Sequence, residues 1–400
     1  MSMNGAASVR PLEGLRVLEF AQIAAGPFTG MLLADLGADV VKVERPDGGD
    51  GMRGWPPLHA GHEGEGEFSG NFTSLNRNKR SIALDIKNKD DLAKLYALVE
   101  NADVFIENFR PGALKRAGLG YDQLKARNPR LVYCSITGYG QSGPYSQKGA
   151  FDVTAQAMSG LMSVTGEEGR PPVKCGVPVG DFATGLYAGY VILAAVMRAR
   201  DTGKGAHVDC SILGSLLGIS ALQTSEYFGT GVAPRRLGSA HPRNAPYAGF
   251  QASDKPFTIA AGNDKLWRDT CAIVGRPDLP DDPRFTTQSL RAQNQNELAE
   301  ILGPIFATRT AAEWLADFDA RGVPCAPIND FAEILSDPHV DEMGWVQPVT
   351  MPNGAEAKTV GFPIALTDYE FEITRTPPRL GEHNDEVMSE WTERRYAKAL

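Results

Sequence analysis

Residues 15–45 read LRVLEFAQIAAGPFTGMLLADLGADVVKVER and predict a strand, a helix and a second strand in direct succession. The β-rich runs 15–20 and 39–43 flank a helical pattern at 27–36, with Pro27 in the first turn, where proline is tolerated. Further strands are predicted at 81–86, 103–106 and 131–136, and helices at 89–100, 111–116 and 121–127. This alternation is typical of an open, mostly parallel α/β sheet, which binds ligands beyond the carboxyl ends of its strands.

The middle of the chain changes character. Residues 151–230 are mainly helical, broken by a loop at 166–180, with the strongest helix at 181–200 and a short strand at 206–210. The Gly-, Pro- and Arg-rich segment 229–246 predicts a linker, and residues 247–335 form a second α/β-like unit. We therefore divide the chain into a large domain at 1–228, a small domain with its linkers at 229–335, and a return to the large domain at 336–400.

Composition and charge narrow the function classes. The 400 residues are 42% hydrophobic and 22% charged, as expected for two globular domains and not for a disordered chain. The net charge of −9 argues against a nucleic-acid partner. Charge is uneven, however: residues 1–150 hold 18 basic and 17 acidic side chains, and the remainder holds 22 and 32. An anionic small molecule is therefore better accommodated by the first part.

Cysteine usage and hydropathy predict a cytoplasmic protein without a membrane partner. The five cysteines are dispersed and form no CxxC pair, as expected for reduced thiols. The amino terminus lacks the apolar run of a secretory signal. The longest apolar stretch, 185–197, is too short to span a bilayer.

The first strand–helix–strand unit imitates a dinucleotide-binding fold, with Glu44 where the ribose-binding acid would lie. The GxGxxG pattern is absent, and Pro27 removes an amide that a pyrophosphate would use, so no nicotinamide cofactor is expected. The sequence contains no Walker A, HExxH or GxSxG motif, and its six histidines are scattered. P-loop chemistry, a catalytic metal and a hydrolase serine are therefore not expected.

Charged residues mark two candidate features. Arg45, Lys87 and Arg110 each follow a predicted strand, which favours a phosphorylated ligand over a role in surface solubility alone. Asp181 follows Gly180 at the start of the strongest helix. Aspartate is a common helix cap, but a carboxylate held anionic by the helix dipole is also a covalent nucleophile, and Gly180 would permit close approach of a substrate. Asp152, at another helix start, is the rival acid.

Taken together, the motifs resemble the class III CoA transferase family of the CaiB–BaiF type. The resemblance covers residues 11 to about 390, and the order and spacing of the motifs carry it. The motifs are PLEGLRVLEF (11–20), AAGPFTGMLLADLGADVVKVERPDGGD (24–50), NRNKRSIALDIK (76–87), ADVFIENFRPGALKRAGLGYD (102–122), CSITGYGQSGPYSQKGAFD (134–152), GDFATGLYAG (180–189), DTGKGAHVDCS (201–211), GVPCAPIND (322–330) and LGEHNDEV (380–387).

The resemblance implies a fold and a chemistry. The fold is a Rossmann-like large domain built from both chain ends, with a smaller inserted α/β domain, in a homodimer whose two subunits interlock as rings. The chemistry is transfer of CoA from an acyl-CoA to a small carboxylic acid. Asp181 matches the aspartate that forms acyl anhydride and aspartyl-CoA thioester intermediates, without ATP or a metal.

The resemblance also implies CoA-binding positions. They are Ile23, Ala24 and Ala25 in the first loop over the CoA, Arg45 at the nucleotide part, Leu84 to Lys87 beside the adenine, Asn108, Phe109 and Arg110 along the pantetheine path, Arg116 at a phosphate, and Lys148 near the CoA.

Departures from the family pattern bear on the substrate. The glycine run of the formyl-CoA/oxalate branch is missing, which puts oxalate and formate in doubt. The racemase branch has a histidine where Phe151 stands, so an α-methylacyl-CoA racemase is the less favoured alternative, beside a non-catalytic acyl-CoA binding protein. RRLGSAHPRNAPYAGF (235–250) and AAGNDKLW (260–267) resemble the dicarboxylate branch, which includes succinyl-CoA:glutarate transferases. Within that branch, the carboxylate-binding candidates are Arg235, Arg236, His241 and Arg243, unless this segment is a solvated linker.

Overall fold

The computed structural model describes residues 10–391. Its central feature is a six-stranded parallel sheet in the order β5-β2-β1-β6-β7-β8. The α/β class with a parallel sheet is thus confirmed, and each of its predicted strands is found within three residues of its expected bounds. The six strands are β1 (Arg16–Phe20), β2 (Asp39–Glu44), β5 (Lys79–Ala83), β6 (Val104–Glu107), β7 (Val132–Thr137) and β8 (Ala206–Ser211).

Helices cover both faces of this sheet, because successive strand residues point to opposite sides. Val17 packs in a core with Ala188 and Ile192, whereas the next residue, Leu18, packs in a second core with Leu95. The helices of this part of the chain are α1 (Ala25–Asp35), α2 (Gly70–Asn76), α3 (Lys89–Val99), α4 (Ala113–Arg116), α5 (Tyr121–Arg127), α6 (Asp152–Met158), α7 (Val179–Thr202), α8 (Ile212–Ile219) and α9 (Ala221–Thr230).

Three small elements between β2 and β5 were not expected from the sequence. They are a 3-10 helix at Gly51–Gly54 and the antiparallel pair β3 (Leu58–Ala60) and β4 (Glu67–Ser69). Helix α2 was also missed. It is only seven residues long, and Ser69 caps it by accepting from the Phe72 amide. Elements of three or four residues, such as the 3-10 helix and strands β3 and β4, carry too little periodicity for a sequence pattern to show.

The carboxyl end of the chain returns to the central sheet. Helix α16 (Asn384–Trp391) contacts β5 and α3, and Val387 and Trp391 are fully buried in the same core as Leu18. The Trp391 indole donates to Asp39 at the start of β2, at 2.8 Å. Before α16 lies the antiparallel pair β12 (Val346–Thr350) and β13 (Glu356–Val360).

The chain divides into two compact units whose limits differ from those expected. Of the described residues, the first unit contains 10–161, 175–225 and 341–391, and the second contains 162–174 and 226–340. The expected limits were 228/229 and 335/336. The main difference is segment 162–174, which was assigned to the large domain because it precedes the predicted linker at 229–246. This segment lies in the second unit, where Gly166 accepts a hydrogen bond from the Gly238 amide.

The second unit has its own three-stranded antiparallel sheet in the order β11-β10-β9. Its core is aromatic and includes Phe257, Trp267, Phe306 and Phe318. The elements here are β9 (Tyr247–Gln251), β10 (Pro256–Ala260), β11 (Cys325–Pro327), α10 (Asp264–Ile273), α11 (Gln288–Gln293), α12 (Gln295–Phe306), α13 (Ala311–Ala320) and α14 (Phe331–Leu335), followed by α15 (Pro338–Glu342) at its edge.

Helix α7 is longer than the sequence suggested. It runs for 24 residues and, among the described residues, is the one helix long and apolar enough to cross a membrane by length and composition. The expectation that this region is too short to do so was therefore wrong. Ala188, Ile192 and Val196 of α7 are buried against the sheet, which is the packing of a core helix.

Candidate active site

The loop that follows β1 lies where the sheet order reverses, the usual ligand position in such sheets. Ile23 in this loop has φ 68°, a left-handed conformation that β-branched residues rarely adopt. Its amide donates to both carboxylate oxygens of Asp50, each at 3.1 Å. Gln22 and Asn108 exchange two hydrogen bonds, at 2.9 and 2.7 Å, which join the loops after β1 and β6. These two hydrogen bonds join the loops into one surface.

A buried charge cluster, made of Glu19, Lys42, Asp50 and Lys79, supports this loop from below. Glu19 and Lys42 are register neighbours on β1 and β2. The Lys42 ammonium is 2.9 Å from Glu19 and 2.9 Å from Asp50, and the Lys79 ammonium is 2.7 Å from Glu19. Lys42 also donates to the Ala21 carbonyl at 2.9 Å. All four side chains are fully buried, so each charge in the cluster is stabilised by its oppositely charged neighbours and not by water.

A cavity of about 350 Å³ opens beside the two loops. It brings together eight of the site residues expected from the sequence, and Asp152 lines it as well. The eight are Ile23, Ala24, Ala25, Asn108, Phe109, Arg110, Lys148 and Asp181.

The sequence suggested that Asp181 caps α7, but Asp181 is the third residue of this helix. The helix begins at Val179, and Pro178 precedes it without a side-chain cap. Burial, followed by the charge of Asp152, raises the pKa of Asp181 to about 6. Within residues 10–391, no hydrogen-bond donor contacts the Asp181 carboxylate. The expectation that the helix end strongly stabilises the ionised form of Asp181 is therefore wrong.

Asp152 occupies the helix end instead. Its Oδ1 accepts from the amides of Gly180, at 2.8 Å, and Asp181, at 3.3 Å. A Cβ on Gly180 would come within 2.8 Å of this oxygen and of Ile212. The glycine therefore admits Asp152 and helix α8, whereas the sequence had suggested that it admits substrate.

Four expected site residues lie outside the cavity. Arg45, Lys87 and Arg116 are exposed, whereas Leu84 is buried in the core. Arg45 follows β2, and the 84–87 segment follows β5, so both are on the sheet edge that carries Asn108. At roughly 4.8 Å per strand, three steps separate β5 from β6 by about 14 Å. Only an elongated ligand would reach both groups.

The four candidates in the 235–243 segment belong to the second unit. Arg235 pairs with Glu168 at 2.8 Å, and Arg243 pairs with Glu226 at 3.4 Å. Burial and the charge of Arg243 lower the pKa of His241 below its ordinary value. These residues therefore have less free positive charge than the sequence suggested.

Sequence reasoning missed the residues that hold the site in shape. Glu19 and Lys42 each interrupt an apolar strand, and a charge within a strand buried on both faces signals a buried partner. The sequence therefore contained a signal for this buried charge cluster. Gln156, which is fully buried and bonds Asp152 at 2.6 Å, carries no comparable signal in the sequence.

The sequence model that describes CoA-transferase family III matches residues 12–384 of this chain. The chain belongs to CoA-transferase family III. A mouse succinyl-CoA:glutarate CoA-transferase is 39% identical over 383 residues, which cover 96% of this chain and 87% of the mouse protein. An acetyl-CoA:oxalate CoA-transferase from Acetobacter aceti is 39% identical over 386 residues, covering 95% and 96%. The crystal structure of a CAIB/BAIF family protein from Brucella suis is 38% identical, with a TM-score of 0.85 over 95% of this chain and 99% of that one.

The chain is accordingly a class III CoA-transferase, an enzyme that uses CoA thioesters as substrates. The resemblance found from the motifs is confirmed, and the alternative of a non-catalytic binding protein is set aside. Within residues 10–391 no group of three or more His, Cys, Asp or Glu side chains is arranged to hold a metal ion.

Proposed function

We propose that this enzyme moves CoA from an acyl-CoA donor, succinyl-CoA, to a small dicarboxylic acid, with Asp181 as the covalent nucleophile. The observation that carries the proposal is the Asp181 carboxylate, unbonded and half-buried, in the cavity formed by the loops after β1 and β6. A carboxylate with a raised pKa is more nucleophilic once it is ionised. The mouse relative, named for succinyl-CoA and glutarate, supports the substrate class.

The reaction balances in four steps. The Asp181 carboxylate attacks the thioester carbon, the C–S bond breaks, and CoA thiolate leaves an aspartyl–acyl anhydride. The thiolate attacks the aspartyl carbonyl, which releases the donor acid and leaves aspartyl-CoA. The acceptor carboxylate attacks that thioester and frees the thiolate again. The thiolate finally takes the acceptor acyl group, and Asp181 returns as a carboxylate.

The CoA would lie along the carboxyl edge of the sheet. Asn108, Phe109 and Arg110 would line the pantetheine near the nucleophile, where Lys148 also reaches the cavity. Arg45, Lys87 and Arg116 would meet the distant phosphates, since they are exposed cations on the same edge or in the following helix.

A comparison of acceptor acids tests whether the enzyme transfers CoA to a dicarboxylic acid. We expect transfer from succinyl-CoA to glutarate to exceed transfer to valerate, which has one carboxylate fewer, at least tenfold in kcat/KM. Mass spectrometry of the new thioesters, with succinyl-CoA and acetyl-CoA as donors and oxalate included, measures this. Equal use of valerate would contradict the dicarboxylate assignment. Deuterium incorporation at the α-carbon without any acceptor would indicate a racemase.

Transfer should depend on pH through Asp181. Because burial raises the pKa of Asp181 to about 6, its carboxylate is protonated in growing proportion as the pH falls through that value. We expect kcat/KM to rise tenfold per pH unit below about 6 and to level off above it. The measurement is the initial rate from pH 4.5 to 8.5 at constant ionic strength. A level profile down to pH 5 would contradict an ionised Asp181.

Removing Arg116 should weaken binding of the CoA nucleotide and leave the chemistry intact. We expect Arg116→Ala to raise KM for succinyl-CoA about three- to tenfold with kcat unchanged, because the phosphate lies far from the thioester. Lys94→Ala is the control, an exposed cation on α3 that is paired with Asp91. A KM unchanged in Arg116→Ala would remove this residue from the CoA site.

We also propose that a second copy of the chain covers the exposed apolar side of α7 and α8, in an interlocked homodimer. Leu186, Tyr190 and Met197 of α7 are all more than half exposed. Large apolar side chains are seldom grouped in this way on the surface of a monomer. Sedimentation equilibrium at micromolar concentration should give a mass twice the 43.1 kDa of the chain. A monomer would contradict this. Location in the cytoplasm stays a prediction.

A further inference from the structure

The helix that carries Asp181 begins without a cap of its own. Pro178 at the cap position provides no side-chain acceptor, so the first amides of α7 need a partner from elsewhere. Asp152, which is 29 residues earlier and on helix α6, provides it. One carboxylate oxygen accepts from the amides of both Gly180 and Asp181.

Asp152 is itself held in place. Its second oxygen accepts from the Gln156 side-chain amide at 2.6 Å, one turn further along α6. The other end of that amide accepts from the Cys175 backbone at 2.8 Å, in the segment that leads into α7. Gln156 is fully buried. A single chain of hydrogen bonds therefore runs from this segment through Gln156 and Asp152 to the first turn of α7.

The surrounding packing fits this arrangement. Gly180 leaves room for the Asp152 oxygen, and Ile212 and Leu216 of α8 close the other side. Ala155 of α6 lies in the same small apolar cluster as these two residues. Helices α6, α7 and α8 thus meet at the backbone of Gly180, next to Asp181.

We propose that Asp152 is a positioning residue for the reaction, holding the first turn of α7 so that the Asp181 carboxylate points into the cavity. Gln156 orients Asp152 for this task. The inference rests on the proposed function, since it assumes that Asp181 is the nucleophile. Its consequence is that kcat depends on two residues that need not touch the reacting atoms. A displacement of the nucleophile by about 1 Å is enough to lower a rate about 10²-fold.

Asp152 also places a negative charge beside Asp181. From α6, Asp152 faces the first turn of α7, and the neighbouring residues of α8, Ile212 and Leu216, are uncharged. The other charged side chains that line the cavity are Arg110 and Lys148. Moving the charge away from Asp181 should therefore shift the acid limb of the pH profile to lower pH.

Four variants separate geometry from charge. Asp152→Ala removes the acceptor. Asp152→Asn keeps an oxygen for the two amides but sets an NH₂ group against that of Gln156. Gln156→Glu sets a carboxylate against that of Asp152. The double variant Asp152→Asn/Gln156→Glu restores the hydrogen bonds, because the asparagine NH₂ donates to the new carboxylate, which still accepts from Cys175.

We expect Asp152→Ala to lower kcat for succinyl-CoA:glutarate transfer about 10²-fold, with KM for succinyl-CoA changed less than threefold. Asp152→Asn and Gln156→Glu should each lose about tenfold or more. The double variant should recover to within about fivefold of wild type, with its acid limb at lower pH. A purely structural role would change melting temperature without this recovery.

Two results would overturn the proposal: wild-type kcat in Asp152→Ala, or a double variant no better than the product of its single variants. If Asp152→Ala does not fold, the double variant alone decides. Failure of the proposed function is distinguishable, because Asp181→Asn would then retain transfer and no aspartyl-CoA adduct would form in the wild-type enzyme.

Discussion

Asp181→Asn is expected to lower CoA transfer by about 10⁴-fold or more. Asparagine is close to isosteric with aspartate, so the cavity and the first turn of α7 should keep their shape. Its amide cannot form the anhydride on which every later step depends, and loss of a covalent nucleophile has effects of this size. The measurement is the steady-state rate of glutaryl-CoA formation from succinyl-CoA, together with the mass of the intact enzyme after mixing with succinyl-CoA. Wild type should show a CoA adduct and the variant none.

The matched control is Asp201→Asn, at the opposite end of the same helix, where the side chain is exposed. It should keep wild-type rates. Both variants should still bind CoA, because no contact expected for CoA is changed. Turnover of Asp181→Asn within tenfold of wild type would contradict the assignment of the nucleophile.

Stability should move in the opposite direction to activity. A carboxyl group with a raised pKa holds its proton more tightly in the folded protein than in the unfolded chain. The contribution of Asp181 to the stability of the folded protein therefore becomes less favourable as the pH rises from about 4 to about 6, and this cost persists at neutral pH. Asp181→Asn should therefore melt at the same temperature as wild type or higher at pH 7.5. This result would exclude unfolding as the cause of lost activity.

Lys42→Met is expected to destabilise the first unit by about 3–5 kcal/mol, because it leaves the buried Asp50 carboxylate without its cation and Glu19 with Lys79 alone. Although burial opposes its charge, the carboxylates of Glu19, Asp50 and Glu44 raise the pKa of Lys42 above its usual value. Lys42 is therefore charged at every pH at which the enzyme works. Denaturant unfolding at pH 7.5 measures the loss, and transfer should fall with it because Asp50 holds the Ile23 loop.

Lys94→Met is the comparison, since Lys94 also pairs with an aspartate, Asp91, at 2.9 Å but in an exposed position. It should cost less than about 1 kcal/mol. Equal effects of the two substitutions would show that the buried charge cluster does not stabilise the fold in the way its geometry indicates.

Sequence pattern located the strands of the central sheet well because they are strongly apolar, and it located most of the helices that alternate with them. The strand at Val104–Glu107 and the helix at Tyr121–Arg127 were found almost residue for residue. The pattern failed where a contact distant in sequence decides the outcome. Segment 162–174 joins the second unit, although it precedes α7 in the chain. Helix α7 begins two residues before Asp181, because its cap comes from α6.

The sequence by itself determined the fold class, the family and the identity of the carboxylate that we propose as nucleophile. Alternation of strands and helices is a local property, and the order of the motifs requires no coordinates. Only the tertiary structure decided the environment of that carboxylate. Burial, followed by the charge of Asp152, raises its pKa, and Asp152 also caps the helix that carries it. The shape of the facing loop depends on Lys42 and Asp50. These contacts join residues that are 8 to 29 positions apart, and burial, which sets their strength, exists only once the chain has folded.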